Sequence, residues 1–328
     1  MFTILVTGGA GFIGSNFIEF ILQNVPDVFI INLDNLTYAG NLKNLDFTDE
    51  YKNYKFFKGN INNEELVIYI LEKYSPNTII NFAAESHVDR SIENPDTFIK
   101  TNINGTANLL NCAKNIWDKT GYGDKLFLQI STDEVYGTLT LENLELKFKE
   151  TSLINPHSPY AASKASADLL VQSYFDTYKF PTLITRCSNN FGPKQFPEKL
   201  IPVVITRAFN NLSIPVYGDG LNVRDWIYVE EHCRAIYNVC MSGKRGEVFN
   251  IGANNEISNI ELVKNILDIM DKPHSLIEFV KDRPGHDRRY SVDTTKIEKE
   301  LGFIAKNDFL EKLERTVKWY LNKYIYDK

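Results

Sequence analysis

The amino-acid sequence predicts an α/β fold: a doubly wound parallel sheet followed by a smaller α/β C-terminal domain suited to substrate binding. Three observations predict it. Short apolar runs alternate with segments of helical period through the first half of the chain. A glycine-rich turn separates the first apolar run from the first helical segment. Past Arg186 the alternation decays, and prolines at 193, 197, 202 and 215 break the chain into shorter pieces. Residues 1–188 are therefore assigned to one domain and 189–328 mainly to a second, with a segment near 225–252 expected to cross back to the first.

Composition sets the outer limits. With 328 residues, 43% hydrophobic and 24% charged, the chain has an ordinary globular makeup and enough length for one large core or two modest ones. A net charge of −6 argues against general binding to nucleic acid or to a membrane surface. No apolar run approaches membrane-spanning length, and no signal peptide precedes the first strand. Cys112, Cys187, Cys233 and Cys240 lack metal-ligand spacing and read as reduced thiols of a cytoplasmic protein. The five histidines do not cluster, so no metal site is expected.

The first element carries the first site. Phe2 to Thr7 is an apolar run, Gly8-Gly9-Ala10-Gly11-Phe12-Ile13-Gly14 follows, and Ile13, Phe17, Phe20 and Ile21 then recur at helical spacing. Glycines let backbone approach a pyrophosphate, which rests on the free N–H groups of the helix N-terminus. A second apolar run, Val28 to Leu33, ends on Asp34, twenty residues beyond Gly14. A carboxylate there can bond both ribose hydroxyls of NAD and repels the extra phosphate of NADP. A lone glycine motif is weak evidence. Strand, turn, helix and acid together make a Rossmann dinucleotide site, and the cofactor expected is NAD.

Tyr54 to Lys58 reads as a strand, Glu64 to Tyr74 as a helix, and Thr78 to Phe82 as a strand. Asn94-Pro95 opens a helix that runs to about Trp117. Leu126 to Gly137 is the central stretch: a buried-strand pattern to Ile130, then the polar residues Ser131, Thr132, Asp133 and Glu134. Ligands in such sheets sit beyond the carboxyl ends of strands. Neighbouring strand residues face opposite sides, so Asp133 and Glu134 share a pocket only if the strand has already broken. Taken alone, the stretch reads better as a solvated loop with two charges.

Tyr160 and Lys164 lie four apart on a helix within Pro159-Tyr-Ala-Ala-Ser-Lys, and so share a face. An ammonium below the phenol is expected to lower its pKa and let Tyr160 accept a proton. The spacing is noisy, since it recurs at Tyr51/Lys55, Tyr54/Lys58, Tyr69/Lys73 and Tyr324/Lys328. Only the Tyr160 copy follows the Ser131-Thr132 strand. In the second half, Arg224 and the trio Arg283, Arg288 and Arg289 are diphosphate candidates, because a guanidinium donates two bonds at once. For any one arginine a surface ion pair is the plainer reading. Val263, Ile266, Leu267 and Met270 mark one amphipathic helix; Leu310, Leu313, Val317, Tyr320 and Tyr324 mark a last one, read as core.

Together these motifs resemble the extended short-chain dehydrogenase/reductase family, and within it the nucleotide-sugar 4,6-dehydratases that act on dTDP-glucose. The likeness spans nearly the whole chain, through Thr7 to Gly14, Asn35 to Leu42, Ala83 to Ser91, Ser131 to Gly137, Tyr160/Lys164, Arg186 to Asn190, Phe196 to Pro202, Arg224-Asp-Trp226 and Arg283 to Asp287. The Thr-Asp-Glu triplet is its specific part, since related epimerases lack the acidic pair. The resemblance implies that Tyr160, with Thr132 and Lys164, takes the proton of the glucose C4 hydroxyl while hydride passes to NAD. It makes Glu134 the base at C5 and Asp133 the acid at C6, with hydride then returned to C6 to give a 4-keto-6-deoxy sugar.

By the same resemblance Gly8, Gly11, Phe12, Ile13, Gly14, Asp34, Asn35, Thr37, Asn60, Ile61 and Ala83 hold NAD, together with Tyr160 and Lys164. Ser86, Asn190, Glu198, Lys199, Leu200, Tyr217, Arg224, Asn259, Arg283 and His286 line the nucleotide-sugar pocket. Asn60-Ile61 departs from the family's Asp-Ile beside adenine; its carbonyl is expected to accept from the adenine amino group, with weaker NAD recognition. Phe191 replaces a usual tyrosine. The alternatives are a UDP-glucose 4,6-dehydratase, a sugar-nucleotide epimerase, and a non-catalytic NAD-binding scaffold. A homodimer is expected from apolar residues beyond one stripe on two helices: Leu109, Leu110 and Ile116, then Leu169, Leu170, Val171 and Tyr174.

Overall fold

The computed structural model describes residues 2–306 and 308–326, with side chains described up to Lys323. Strands β1 (Phe2–Thr7), β2 (Val28–Asp34), β3 (Tyr54–Lys58), β4 (Thr78–Asn81), β5 (Leu126–Thr132) and β6 (Thr182–Cys187) are joined in one parallel sheet by a later strand, β10 (Glu247–Ile251). The order is β10-β6-β5-β4-β1-β2-β3. Alternate residues serve opposite faces. Ile4, Val6 and Ile30 enter a core under α1 (Phe12–Asn24) and α8 (Val229–Met241), whereas Leu5, Ile31 and Leu33 enter one under α2 (Glu64–Tyr74), α5 (Gly105–Thr120) and α6 (Pro159–Tyr178). Burial on both faces explains why these strands read as continuous apolar runs.

The helix expected over 94–117 runs from Pro95 to Thr120 but is not uniform. After α3 (Val88–Glu93), the segment α4 (Pro95–Phe98) passes into a π-helical stretch, Ile99–Asn104, before α5 begins. Asn102 projects from that stretch into the protein. Its Oδ1 accepts from the Glu85 N–H at 2.9 Å, and its Nδ2 donates to the Ser163 hydroxyl at 2.8 Å. A π-turn fits a helix re-aimed at a functional site.

A third core joins α7 (Leu200–Phe209), α9 (Asn259–Ile269) and α11 (Phe309–Tyr326) to β8 (Ile214–Tyr217) and β9 (Val223–Tyr228). Strands β7 (Asn189–Phe191) and β11 (Glu256–Ser258) flank β9, and β12 (Ile277–Val280) pairs with β8. The short helix α10 (Thr295–Leu301) packs back on β10. Leu313, Val317 and Tyr320 are buried as the last stripe requires, but Leu310, one residue into α11, is 61% exposed. The Tyr324 side chain lies outside the described residues. No helix among the described residues is long and apolar enough to cross a membrane.

Candidate active site

A long cavity runs across the carboxyl ends of β1 to β6, where open α/β sheets bind ligands. Gly8 has φ +72°, and a Cβ there would stand 2.6 Å from the Ala83 nitrogen. A Cβ on Gly14 would meet the Gly8 carbonyl at 2.4 Å, so the turn and α1 pack at glycine distance. The N-cap Gly11 has no capping side chain, and Phe12 and Ile13 open α1 directly onto the cavity. The first amides of a helix have no partner within it, which is the environment a pyrophosphate takes.

Asp34 closes this corner. Its Oδ2 accepts from the Ala10 N–H at 2.8 Å and its Oδ1 from the Leu36 N–H at 2.7 Å. Burial raises its pKa and these two bonds oppose the rise. Each carboxylate oxygen retains capacity for a ribose hydroxyl, so the residues present fit NAD. Asn35, Thr37, Asn60, Ile61 and Ala83 all line the same cavity. Asn60 differs from expectation. Its carbonyl already accepts from Asn62 N at 2.8 Å and Asn62 Nδ2 at 3.2 Å, which leaves its NH₂ group, a donor, as its uncommitted end.

The central stretch breaks where the chemistry needs it to. β5 continues through Ser131 and Thr132, then Asp133–Tyr136 turns as a 3₁₀ helix, with the Thr132 hydroxyl accepting from the Glu134 N–H at 3.3 Å. Both carboxylates thereby line one cavity with Tyr160 and Lys164. Asp133 is buried; its Oδ1 accepts from the Thr132 hydroxyl at 3.3 Å, and its Oδ2 has no hydrogen-bond partner. Burial, followed by the Glu134 charge, holds its pKa well above the usual carboxylate range. Glu134 is raised too, mainly by burial, but Arg283, Lys199 and Arg224 pull it back down.

The Tyr/Lys pair behaves otherwise than its spacing predicts. Burial pushes the Tyr160 phenol well above its ordinary value and Glu134 adds to this, while a hydrogen bond with Thr132 opposes it. Lys164 Nζ is committed to the Ile130 carbonyl at 2.7 Å, and burial lowers its own pKa. Burial of the phenol decides the direction.

Of the expected substrate residues, Ser86, Asn190 and Lys199 line the cavity. Lys199 donates to the Ser86 carbonyl at 2.8 Å, tying the β4 loop to α7. Glu198, next to Lys199, pairs with Arg90 and His87 on the rim, and Leu200 is half-buried against the third core. Arg224 is buried, with its guanidinium over the Tyr290 ring at 4.2 Å and donating to the Val223 and Asp287 carbonyls. Arg283 reaches Asp89 at 3.5 Å, and His286 bonds Asp282 at 2.6 Å with its ring nearly perpendicular to that of Tyr217. Asn259 opens α9, its N–H donating to the Asn222 carbonyl. These last five and Glu198 and Leu200 do not line the cavity.

Two arginines leave the site. Arg288 forms a bidentate pair with Asp219 at 2.7 and 2.9 Å, and buried Arg289 pairs with Glu256 at 2.6 and 3.0 Å while capping the carbonyls of Asn143, Leu144 and Leu146. Cys187, Gln195 and Phe196 also line the cavity, although none of them was expected among the site residues. Cys187 stands opposite Thr132 across β5 and β6, a register that no local pattern reveals.

The sheet order, glycine turn, terminal acid of β2 and Tyr/Lys pair define an NAD-dependent enzyme of the extended short-chain dehydrogenase/reductase class. Comparison with known proteins narrows this. The chain belongs to the GDP-mannose 4,6 dehydratase family, whose model matches residues 5–316. It is 48% identical over 334 residues to a dTDP-glucose 4,6-dehydratase of Xanthomonas campestris pv. campestris, covering 98% of this chain and 93% of that one. Among solved structures it resembles a Streptomyces venezuelae dTDP-glucose 4,6-dehydratase with NAD and dTDP bound, at TM-score 0.93 and 43% identity, over 99% of this chain and 98% of that one. A Bacillus anthracis dTDP-glucose 4,6-dehydratase in complex with NAD gives TM-score 0.90 and 44% identity over the same shares.

Proposed function

We propose that this protein dehydrates dTDP-glucose to dTDP-4-keto-6-deoxyglucose, a hydro-lyase reaction with bound NAD. The observation that carries the reading is the break after Thr132, which puts Asp133, its pKa raised by burial, and Glu134, under the fields of three cations, into the cavity that also holds Tyr160. NAD, when bound, supplies the hydride acceptor at C4 and the hydride donor at C6. Tyr160 in its phenolate form, which the Thr132 hydrogen bond favours against burial, takes the C4 hydroxyl proton, with Lys164 on the same helix. The resulting 4-keto group acidifies the proton at C5, and Glu134 removes it. Asp133, whose pKa burial raises well above the usual carboxylate range, gives its proton to the departing C6 hydroxyl, so water leaves.

Residues 1–188, with the segment near 225–252, hold NAD, and the remainder of 189–328 recognises the nucleotide sugar. Arg224, Arg283 and His286 meet the diphosphate. Arg224 supports this best, because both its bonds go to backbone carbonyls and its charge stays available to an anion. The protein acts as a homodimer in a reducing compartment, the cytoplasm, where its four free thiols persist. Incubation with dTDP-glucose and, separately, UDP-glucose tests the reading, scored by the alkaline ultraviolet absorbance of a 4-keto-6-deoxy sugar. Product from dTDP-glucose is expected; product from neither sugar refutes it.

A further inference from the structure

We infer that His157 is a positioning residue: by clamping Asp287 it holds the arginine-bearing loop of the second half against the start of the catalytic helix. His157 immediately precedes Ser158, the N-cap of α6, and lies three residues before Tyr160. Its Nδ1 is 2.5 Å from Asp287 Oδ1, and its Nε2 is 3.1 Å from Asn155 Nδ2. A carboxylate on one side and an amide donor on the other suit the neutral tautomer, with Nδ1–H donating and Nε2 accepting.

Asp287 is the junction. Its Oδ2 accepts from the Tyr290 hydroxyl at 2.6 Å, and its backbone carbonyl accepts from Arg224 at 2.9 Å and Asn222 at 3.1 Å. The Tyr290 ring lies under the Arg224 guanidinium. Thus one bond from His157 fixes the residue on which Arg224 rests and the loop that carries Arg283 and His286. Glycine at 285, with φ +64°, lets that loop come close: a Cβ there would stand 3.1 Å from the His157 carbonyl. The other contacts across this seam fall on the 138–148 segment: Arg288 N–H to the Thr138 hydroxyl at 2.8 Å, and the Arg289 guanidinium to the carbonyls of Asn143, Leu144 and Leu146. Among these contacts the His157–Asp287 bond is the one made at the start of the catalytic helix, and so it sets how Arg224 and Arg283 stand relative to Tyr160.

This rests on the function proposed above, and the test separates the two. Wild type, His157→Ala, His157→Asn and Tyr290→Phe are purified, and dTDP binding is measured by calorimetry alongside turnover of dTDP-glucose. Asparagine places an N–H near the position of Nδ1, so it replaces the lost donor. His157→Ala is expected to weaken dTDP binding and raise KM about tenfold, the worth of one hydrogen bond to a charged group, with kcat within about twofold. His157→Asn restores both, and Tyr290→Phe weakens binding in the same direction. Unchanged dTDP affinity in His157→Ala, or an asparagine variant no better than alanine, overturns the inference. Wild type that binds dTDP but does not turn over the sugar defeats the functional reading alone, because the binding arm still scores the clamp.

Discussion

Asp133 and Glu134 are adjacent in the chain and electrostatically opposed. Asp133 has one oxygen unpartnered and a single cation, Arg224, opposing its rise, whereas Glu134 lies within the fields of Arg283, Lys199 and Arg224. Environments that separate two carboxyl groups in this way divide them into acid and base. The base works only when unprotonated, and the Glu134 pKa stands above its ordinary 4.5. Activity is therefore lost as pH falls through that raised value, so the acidic limb of kcat lies above the pH of an ordinary glutamate. Lys199→Ala removes one of the charges that hold it down, and a pH–rate profile of that variant shows the limb moved to higher pH.

Asp133 has a stability consequence whose sign is fixed by the same burial. Its folded pKa is raised well above the unfolded value near 3.8, so the folded state binds the extra proton. Stability then falls as pH rises from the unfolded pKa toward the folded one. Asp133→Asn removes the titration. Its melting temperature should match wild type at pH values below about 3.8 and exceed it at pH 7, by about 2 °C for each kcal/mol recovered. Turnover should be lost in the same variant. Equal melting temperatures across that range, by calorimetry, would sink the argument.

Asp34 joins the glycine turn to the cofactor it selects. Removing its carboxylate deletes the acceptor for Ala10 N–H and the charge that repels a 2′-phosphate. Asp34→Ala should weaken NAD binding by roughly ten- to a hundredfold, the loss of charged hydrogen bonds, and narrow the preference over NADP. Fluorescence titration with both dinucleotides measures it, and tighter binding of NADP than NAD by the unaltered protein contradicts the assignment.

What could be read in the sequence is what local period encodes. The strands β1 and β3, helix α2 and helix α6 lie where alternation and caps place them, because each is specified by residues within a few positions. Pairing between distant segments is not local. Thr132 opposite Cys187, Glu256 beneath Arg289, and Asp287 against His157 join residues 33 to 130 positions apart, and no periodicity announces them. Local arguments also erred in sign where tertiary burial decides. Lys164 at the spacing of a helix turn implied a more acidic Tyr160, yet desolvation of the enclosed phenol prevails. Asn60 was legible as a change of residue type, but its use of the carbonyl to bond Asn62 depends on the fold of the turn.

A homodimer should form through α5 and α6. Leu109, Leu110 and Val171 are spent on the chain's own core, but Leu169 at 55%, Tyr178 at 48% and Ile99 at 45% exposure leave apolar surface on neighbouring helices. Light scattering at micromolar concentration is expected to give twice the 37.7 kDa chain mass. Leu169→Asp, a charge placed on that face, should shift the protein toward the single-chain mass without lowering its melting temperature at high dilution.

The division of labour between Tyr160 and the acidic pair can be tested within one turnover. Oxidation at C4 calls on Tyr160, Thr132 and Lys164; elimination calls on Glu134. Glu134→Gln keeps the shape and the hydrogen bonding of the side chain but cannot take the C5 proton. Loss of a positioned general base costs about 10²–10⁴-fold, so elimination should stall behind an intact first step. Rapid mixing with dTDP-glucose should then show enzyme-bound NADH accumulating by absorbance or fluorescence. Tyr160→Phe should show none, since the proton that must leave with the hydride has no acceptor. In the unaltered protein, deuterium placed at C4 should appear at C6 of the same product molecule, because the reduced cofactor stays in the cavity between the two transfers. Full turnover by Glu134→Gln, or label washed into solvent, would mean that the break after Thr132 does not serve the chemistry assigned to it.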